Sequence, residues 1–225
     1  MMSTTKARSA QGTKLQVRTG YVATKVVSAI SKANPAVVTT TVAHGLVTGD
    51  VVDIAGVLGM TEINGESRII KVLTATTFEM TGLDSLLYTA YVSGGTARPY
   101  SFSDLCEITN FQPSDPGSTQ IDVTTVCSIA KEFVSGLSDE GTATMQFNYS
   151  PLDAGLAALN AIRDVGATDM FRLIVPGTPA DPVAWYRAGK ASVQALSPWP
   201  TVGPNAALQG NGSLKFSGKS YGVTA

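Results

Sequence analysis

The sequence predicts a mainly β protein that contains a single α-helix and two separate β units. Short runs rich in β-branched residues recur between residues 26 and 97, and turn signals divide them. Residues 142–149 alternate strictly between apolar and polar side chains, which is the period of a half-buried strand. Helical spacing of apolar residues is clear only in residues 151–165.

The first 25 residues are predicted to be an arm followed by one strand. Residues 1–13 are small and polar, which is typical of a segment that is disordered or ordered by a partner. Residues 14–18 alternate and predict a strand. The arm is basic: Lys6, Arg8 and Lys14 occur without any acidic neighbour. It either contacts the acidic body of another subunit or is a solvated, flexible tail.

Residues 26–97 are predicted to form a small, separate all-β domain, either a barrel or a sandwich. Asn34-Pro35, Asn64-Gly65 and Gly94-Gly95 are among the turn signals that divide its strands. The predicted strands are residues 26–30, 37–42, 50–54, 67–73, 76–81 and 88–92.

Residues 98–225 are predicted to form a second β unit. Between its predicted strands 118–127 and 142–149, residues 128–141 form a connection longer than a hairpin needs. This connection carries large apolar side chains, so it is either tucked against its own domain or inserted into a neighbour. The other predicted strands are residues 105–111, 170–175, 184–196 and 206–217.

The helix is predicted over residues 151–165. Ser150 can cap its start, Pro151 suits the first helical position, and Gly166 can end it. The apolar positions at helical spacing are Leu152, Leu156, Leu159 and Ile162.

The sequence predicts no enzyme and no cofactor. His44 is the only histidine, so it cannot build a histidine-based metal cluster, and we expect a structural role for it in a turn. The net charge of the chain is −1, so the chain is not a polycation of the kind that binds DNA phosphates tightly. Cys106 and Cys127 are expected to be buried free thiols. No signal peptide and no membrane insertion are expected.

Three segments, in this order, resemble the major tail tube proteins of long-tailed bacteriophages of the siphophage kind. They are Ile-Asp-Val-Thr-Thr at residues 121–125, Gly-Leu-Ser-Asp-Glu-Gly at residues 136–141 and Tyr-Ser-Pro at residues 149–151 before the helix. The resemblance implies a tail-tube-type β-sandwich or barrel with one flanking helix. It assigns residues 1–25 and 98–225 to the tube domain, with residues 26–97 as an insertion.

The same resemblance implies the function. Six subunits would form a ring, and stacked rings would form the tail tube of the virion, through which DNA passes without specific binding. Its partners would be other copies, the tape measure protein and the tail terminator and tip proteins, with assembly in the host cytoplasm.

Candidate site residues fall into three groups. The connection between strands supplies assembly contacts: Ile129, Lys131, Glu132, Phe133, Val134, Leu137, Asp139 and Glu140. The basic arm supplies contacts through Lys6, Arg8 and Lys14. Lumen-lining candidates are polar strand residues: Glu107, Thr109, Thr142, Thr144, Gln146, Asn148, Gln209, Asn211, Ser213 and Lys215.

Residues 26–97 separately resemble a small β module that recurs in phage tail and fibre proteins. The matching motifs include His-Gly-Leu-Val-Thr-Gly-Asp at residues 44–50 and Ser-Gly-Gly-Thr at residues 93–96. The alternative function for the chain is a carbohydrate- or receptor-binding module of a tail tip or fibre.

Overall fold

A computed structural model of the protein describes residues 10–179, 181–204 and 206–225. The described residues form fourteen β-strands and one α-helix, which confirms the predicted mainly β fold. By contacts the chain divides into two units. Unit 1 comprises the residues up to Cys106 together with Met170–Ala188 and Ser220–Ala225, and unit 2 comprises Glu107–Asp169 and Gly189–Lys219.

Six strands of unit 1 close into a barrel. Their order is β2-β3-β6-β5-β4-β7, and β7 pairs back onto β2 through Val26 and Thr96. Closure pairs every strand edge of this barrel, so it offers no edge to another chain. The six barrel strands are β2 Lys25–Ile30, β3 Ala36–Thr40, β4 Val51–Leu58, β5 Ser67–Val72, β6 Thr77–Met80 and β7 Ser93–Asp104. Strand β1, Lys14–Tyr21, precedes them and lies outside the barrel.

One predicted strand of the barrel is wrong. Residues 88–92 form no strand, and β7 begins at Ser93 and runs through Gly94-Gly95, which the sequence predicted as a turn. Both glycines have positive φ, and an added Cβ on Gly95 would lie 2.5 Å from a Val57 methyl. The glycines therefore permit a close strand approach, while the Tyr91 hydroxyl ties the preceding segment to the Gly94 carbonyl.

The barrel has its own apolar core, with Ile54, Phe78 and Met80 fully buried. His44 is buried beside it, as predicted for a structural histidine. The His44 Nδ1 accepts from the Leu46 amide at 2.9 Å, so Nε2 carries the proton that it donates to the Thr74 carbonyl at 3.1 Å.

The remaining strands of unit 1 share a second core with the barrel. Val51 and Ile69 of the barrel are buried together with Met170, Ala188 and Val223. The strands that contribute these last three residues are β12 Thr168–Val175, β13 Trp185–Leu196 and β14 Gln209–Thr224. Removing the barrel would therefore expose apolar surface on the rest of unit 1.

Two glycines and one arginine add contacts between the barrel and the strands that share the second core of unit 1. The ring of Tyr186 covers Gly49, and the ring of Tyr221 covers Gly82, at positions where a Cβ would lie 2.5 Å from ring carbons. Arg172 of β12 donates to the Gly49 carbonyl at 2.8 Å and to Gln16 Oε1 at 2.8 Å. Burial lowers the pKa of Arg172, although its side chain also lies within 3.3 Å of the Asp50 carboxylate.

Unit 2 is an antiparallel sheet with a helix and a separate hairpin. The sheet order is β13-β14-β11-β8, and β9 pairs only with β10. The strands that lie wholly in unit 2 are β8 Ile108–Pro113, β9 Gly117–Asp122, β10 Phe133–Asp139 and β11 Thr142–Asn148. The predicted strand at residues 105–111 thus begins three residues late, because the Leu105 amide bonds to Leu15 of β1.

The helix, α1 Ala154–Val165, exists but begins later than predicted. Asp153 caps it by accepting from the Leu156 amide at 2.7 Å, whereas Ser150 was the predicted cap. Leu152 consequently lies outside the helix and is 98% exposed, while Leu156, Leu159 and Ile162 are buried as predicted. Gly166 ends the helix with a left-handed φ of 66°, as its position predicts.

The prediction of buried thiols is wrong. Cys106 and Cys127 are both exposed and both free. Each lies in a turn, Cys106 just after β7 and Cys127 in the connection between β9 and β10, so neither falls on a buried strand face.

Candidate functional site

The most unusual surface of unit 2 is the hairpin of β9 and β10. The sequence predicted residues 128–141 as an irregular connection, and the structure corrects this, because their second half forms a strand. Phe133 lies opposite Asp122 and Val134 opposite Ile121 in the antiparallel register. The register shifts at Gly136, where an added Cβ would collide with the Thr119 hydroxyl.

Every large apolar side chain of the hairpin is exposed in the isolated chain. Phe133 and Val134 are half exposed, Leu137 is 90% exposed, and Val126 and Ile129 at the tip are fully exposed. A two-stranded hairpin is at best marginally stable in water without a covering layer. The hairpin therefore has the composition of a surface that another polypeptide covers.

The hairpin is anchored to the sheet of unit 2 at its base. The Ser114 amide donates to the Thr142 carbonyl at 2.7 Å, and the Thr142 amide donates to Ser114 Oγ at 2.8 Å. Because Ser114 follows β8 and Thr142 opens β11, the pairing of β8 with β11 continues outward into the hairpin.

Two of the predicted assembly residues have partners inside the subunit. Glu132 accepts from Ser128 Oγ at 3.3 Å in the hairpin tip. Asp139 accepts from Lys215 Nζ at 2.7 and 2.6 Å, and the Lys215 ammonium, followed by the Gly141 amide, lowers the pKa of Asp139. Lys131 is exposed and Glu140 is half-buried.

A polar face runs across β8, β11 and β14. The β11 residues Thr142, Thr144 and Gln146 are exposed, as the alternation predicts, and Asn148 is half-buried. Their cross-strand partners in β14 are all polar: Thr142 with Lys215, Thr144 with Ser213, Gln146 with Asn211 and Asn148 with Gln209. The only charged side chain among these eight is Lys215, which pairs with Asp139.

The opposite face of the same strands is buried. It carries Ala143, Met145, Phe147 and Leu214. Gly210 lies under the ring of Phe147, where an added Cβ would stand 2.5 Å from a ring carbon. The missing side chain at Gly210 thus leaves room for an aromatic ring.

Two polar residues of β8 extend the polar face, and the sequence prediction did not include them. Asn110 lies opposite Gln146, and Gln112 lies opposite Thr144. Of the predicted residues, Glu107 precedes β8 and accepts from the Asn148 amide through its carbonyl at 2.9 Å, and Thr109 falls where the register shifts. The alternation of polar residues at positions 110 and 112 was the sequence signal for these two additions.

The predicted arm contacts are only partly within the described residues. Lys6 and Arg8 lie outside them. Lys14 opens β1 and donates to Asp104 Oδ2 at 2.7 Å, a contact that raises the pKa of Lys14 and helps to lower that of Asp104. Lys14 therefore already has a partner in its own subunit.

Within the part of the chain that the structure describes, no group of three metal-binding side chains occurs. Among these residues, no helix is long and apolar enough to cross a bilayer.

Comparisons with known proteins divide the chain into two stretches. Residues 33–100 match the family model of the ubiquitin-activating enzyme E1 FCCH domain, a stretch that covers most of the closed barrel. Residues 87–175 match the model of the lambda-like phage tail tube family, and this stretch includes the hairpin, β11 and the helix. No curated protein matches the chain. The tail tube match confirms the resemblance drawn from the sequence motifs.

Proposed function

We propose that this chain, a structural tail tube protein of a siphophage, assembles into hexameric rings that stack into the tube and conduct DNA during ejection. The observation that carries the proposal is the β9–β10 hairpin, whose large apolar side chains are half to fully exposed in the described part of the chain. The subunit would be made in the host cytoplasm and join its copies there.

The edge strand β8 supports lateral assembly. It ends the sheet order of unit 2, so one row of its backbone amides and carbonyls has no strand partner in the described chain. Exposed edges readily pair with another chain, and ring closure satisfies all of them at once. We therefore assign β8 to the contact between neighbouring subunits of a ring.

The hairpin supports axial assembly. It extends beyond the sheet on a base fixed by Ser114 and Thr142, and its tip carries Val126 and Ile129. Covering the seven large apolar side chains of the hairpin, which also include Ile121 and Val123, gives roughly 1.5 kcal/mol or more for each one that becomes fully buried. We assign the hairpin to the contact with the next ring, together with the basic arm.

The polar face supports the conduit. DNA binds proteins chiefly through phosphate contacts with Lys and Arg, and a wall rich in these residues would retain it. The face made by Thr144, Gln146, Asn211 and Ser213 is uncharged, and the Lys215 charge beside it is paired. We assign this face, extended by Asn110 and Gln112, to the lumen. The tape measure protein and the terminator and tip proteins would contact the tube within and at its ends.

Assembly can be tested by removing apolar surface from the hairpin. The double variant Ile129→Ser, Leu137→Ser should remain folded, because both side chains are exposed in the subunit. It should fail to form tubes, because the contact loses two of its most exposed apolar side chains. Sedimentation velocity and negative-stain microscopy measure the loss.

The matched control is Leu152→Ser, which removes an equally exposed leucine outside the hairpin. We expect tubes from this control. Normal tubes from the hairpin variant, or equal loss from both variants, would contradict the assignment of the hairpin to assembly.

A further inference from the structure

Unit 2 carries a second exposed apolar surface, separate from the hairpin. It is the loop of residues 197–208, which joins β13 to β14. Trp199 is 83% exposed, Val202 is 77% exposed and Leu208 is 43% exposed. A tryptophan side chain can bury a large area, and protein interfaces are enriched in this residue. The exposed indole therefore marks the loop as a candidate contact surface.

The composition and anchoring of the 197–208 loop suit a protein contact. The loop contains no charged residue, and three of its twelve residues are proline. The Ser197 amide donates to the Asn211 carbonyl at 2.8 Å, which fixes one end of the loop to β14. The Thr201 amide donates to the Gln209 carbonyl at 2.7 Å. Prolines and backbone hydrogen bonds reduce the entropy that is lost on binding, and charged residues are depleted in interface cores.

The tip of the β9–β10 hairpin has the same character. Residues 123–130 contain no charged residue, and Val126 and Ile129 are fully exposed. Further along the hairpin, Val134 lies opposite Ile121, and both side chains are about half exposed. Unit 2 therefore exposes two uncharged apolar surfaces in the part of the chain that the structure describes.

These two surfaces lie at opposite ends of one strand, β11. Thr142 opens β11 and fixes the base of the hairpin. At the other end of β11, Asn148 lies opposite Gln209, the first residue after the loop. At roughly 3.4 Å per residue, the length of β11 separates the two ends by about 20 Å. Copies stacked along the strand direction would therefore bring the hairpin of one copy against the loop of the next.

We propose that the 197–208 loop of one copy receives the hairpin tip of a copy in the adjacent ring. The inference rests on the proposed assembly and names the surface that the hairpin contacts within it. Val126 and Ile129 would pack on the indole of Trp199. Such a contact is heterologous, because different surfaces meet, and a heterologous contact can repeat without limit along an axis. A contact between two hairpins would be isologous and would join rings only in pairs.

Chemical cross-linking of assembled tubes tests this pairing directly. Cys127 is exposed at the hairpin tip, close in sequence to Val126 and Ile129. In a Cys106→Ser background it is the only cysteine of the chain. Adding Val202→Cys should let a short bis-maleimide join subunits of neighbouring rings. A ladder of multimers is expected on a denaturing gel, because each subunit would carry both linked positions.

The matched control is Leu87→Cys in the same background. Leu87 is almost fully exposed within another uncharged stretch, residues 85–92 of unit 1. We expect tubes without a ladder from this control and from the background alone. Tubes of the Val202→Cys variant without a ladder would overturn the proposal. A ladder with Leu87→Cys alone, or dimers from the background alone, would also overturn it, because the hairpin would then contact the barrel or another hairpin.

Removing apolar surface from the loop gives a second measure. Val202→Ser should leave the subunit folded, because the side chain is exposed. It should raise the critical concentration for tube growth at least about tenfold, the scale of one large apolar side chain lost from a contact. Val42→Ser, which changes a valine of similar exposure in unit 1, should leave tube growth unchanged. Equal tube growth of the two variants would contradict the assignment.

Failure of this inference differs from failure of the assembly proposal. If the unsubstituted chain forms tubes but Cys127 is not linked to position 202, only the assignment of the loop is wrong. If the unsubstituted chain stays monomeric in sedimentation velocity, the assembly proposal itself is wrong, and the assignment of the loop is wrong with it.

Discussion

At the scale of single residues, β14 illustrates how a glycine can be required by its neighbour. Gly210 is buried beneath the ring of Phe147, which is itself almost fully buried. Strand glycines weaken a sheet unless something must approach closely, and here the aromatic ring does so. The apolar face of unit 2 is therefore fitted to this one missing side chain.

Replacing Gly210 with alanine should destabilise the subunit. The new methyl group would stand 2.5 Å from the Phe147 ring and force a shift in a packed core. Overpacking of this kind costs about 1–3 kcal/mol, which urea unfolding would measure. The control is Gly203→Ala, where the added carbon would make an ordinary contact with Ala206 at 3.5 Å among the described residues. Equal stability of the two variants would refute the packing argument.

The ion pair between Lys215 and Asp139 predicts a pH effect. Because the folded pKa of Asp139 is lowered, its stabilising effect is present above the unfolded pKa and is lost as pH falls through the folded value. Lys215→Met should raise the pKa of Asp139 towards its ordinary value, as a carboxyl NMR titration would show. The pKa of Asp122, lowered by Thr124 alone, should not move. An unchanged pKa of Asp139 would rule out Lys215 as the main cause.

At the scale of elements, the start of the helix distinguishes the two candidate caps. Asp153 accepts from the Leu156 amide, whereas Ser150 contributes its carbonyl to the preceding turn. Asp153→Ala should therefore lower the free energy of unfolding by about 1 kcal/mol. Ser150→Ala should cost much less. Thermal and urea unfolding of both variants measure the two losses. A larger loss for Ser150→Ala than for Asp153→Ala would show that Ser150 is the cap, as the sequence predicted.

The sequence predicts the elements of unit 2 unevenly, for physical reasons. Strand β11 alternates without interruption, so its buried and polar faces follow directly from its residues. The sequence does not predict strand β10, because Gly136 interrupts its alternation and every side chain of the strand is exposed. The extended conformation of β10 depends on its pairing with β9. A local sequence pattern carries no information about that pairing.

The start of β8, which contributes to the polar face, also depends on contacts distant in sequence. The sequence places a strand at residues 105–111 and so selects Glu107 and Thr109 for this face. The hydrogen bond from the Leu105 amide to Leu15 holds Leu105 outside β8. The register then sets Asn110 and Gln112 beside β11, a result of long-range pairing.

At the scale of the whole molecule, the chain combines a closed barrel with an open sheet. The barrel has no free edge, whereas the sheet of unit 2 ends at β8 and carries the apolar hairpin. The edge strand and the apolar hairpin that we assign to self-association thus both lie in unit 2.

Cryo-electron microscopy of tubes assembled from the purified protein tests the assembly account most directly. We predict six subunits in each ring, the β9–β10 hairpin packed against the adjacent ring, and Thr144, Gln146, Asn211 and Ser213 facing the bore. A tube whose rings meet without the hairpin, or a protein that stays monomeric at high concentration, would contradict the account.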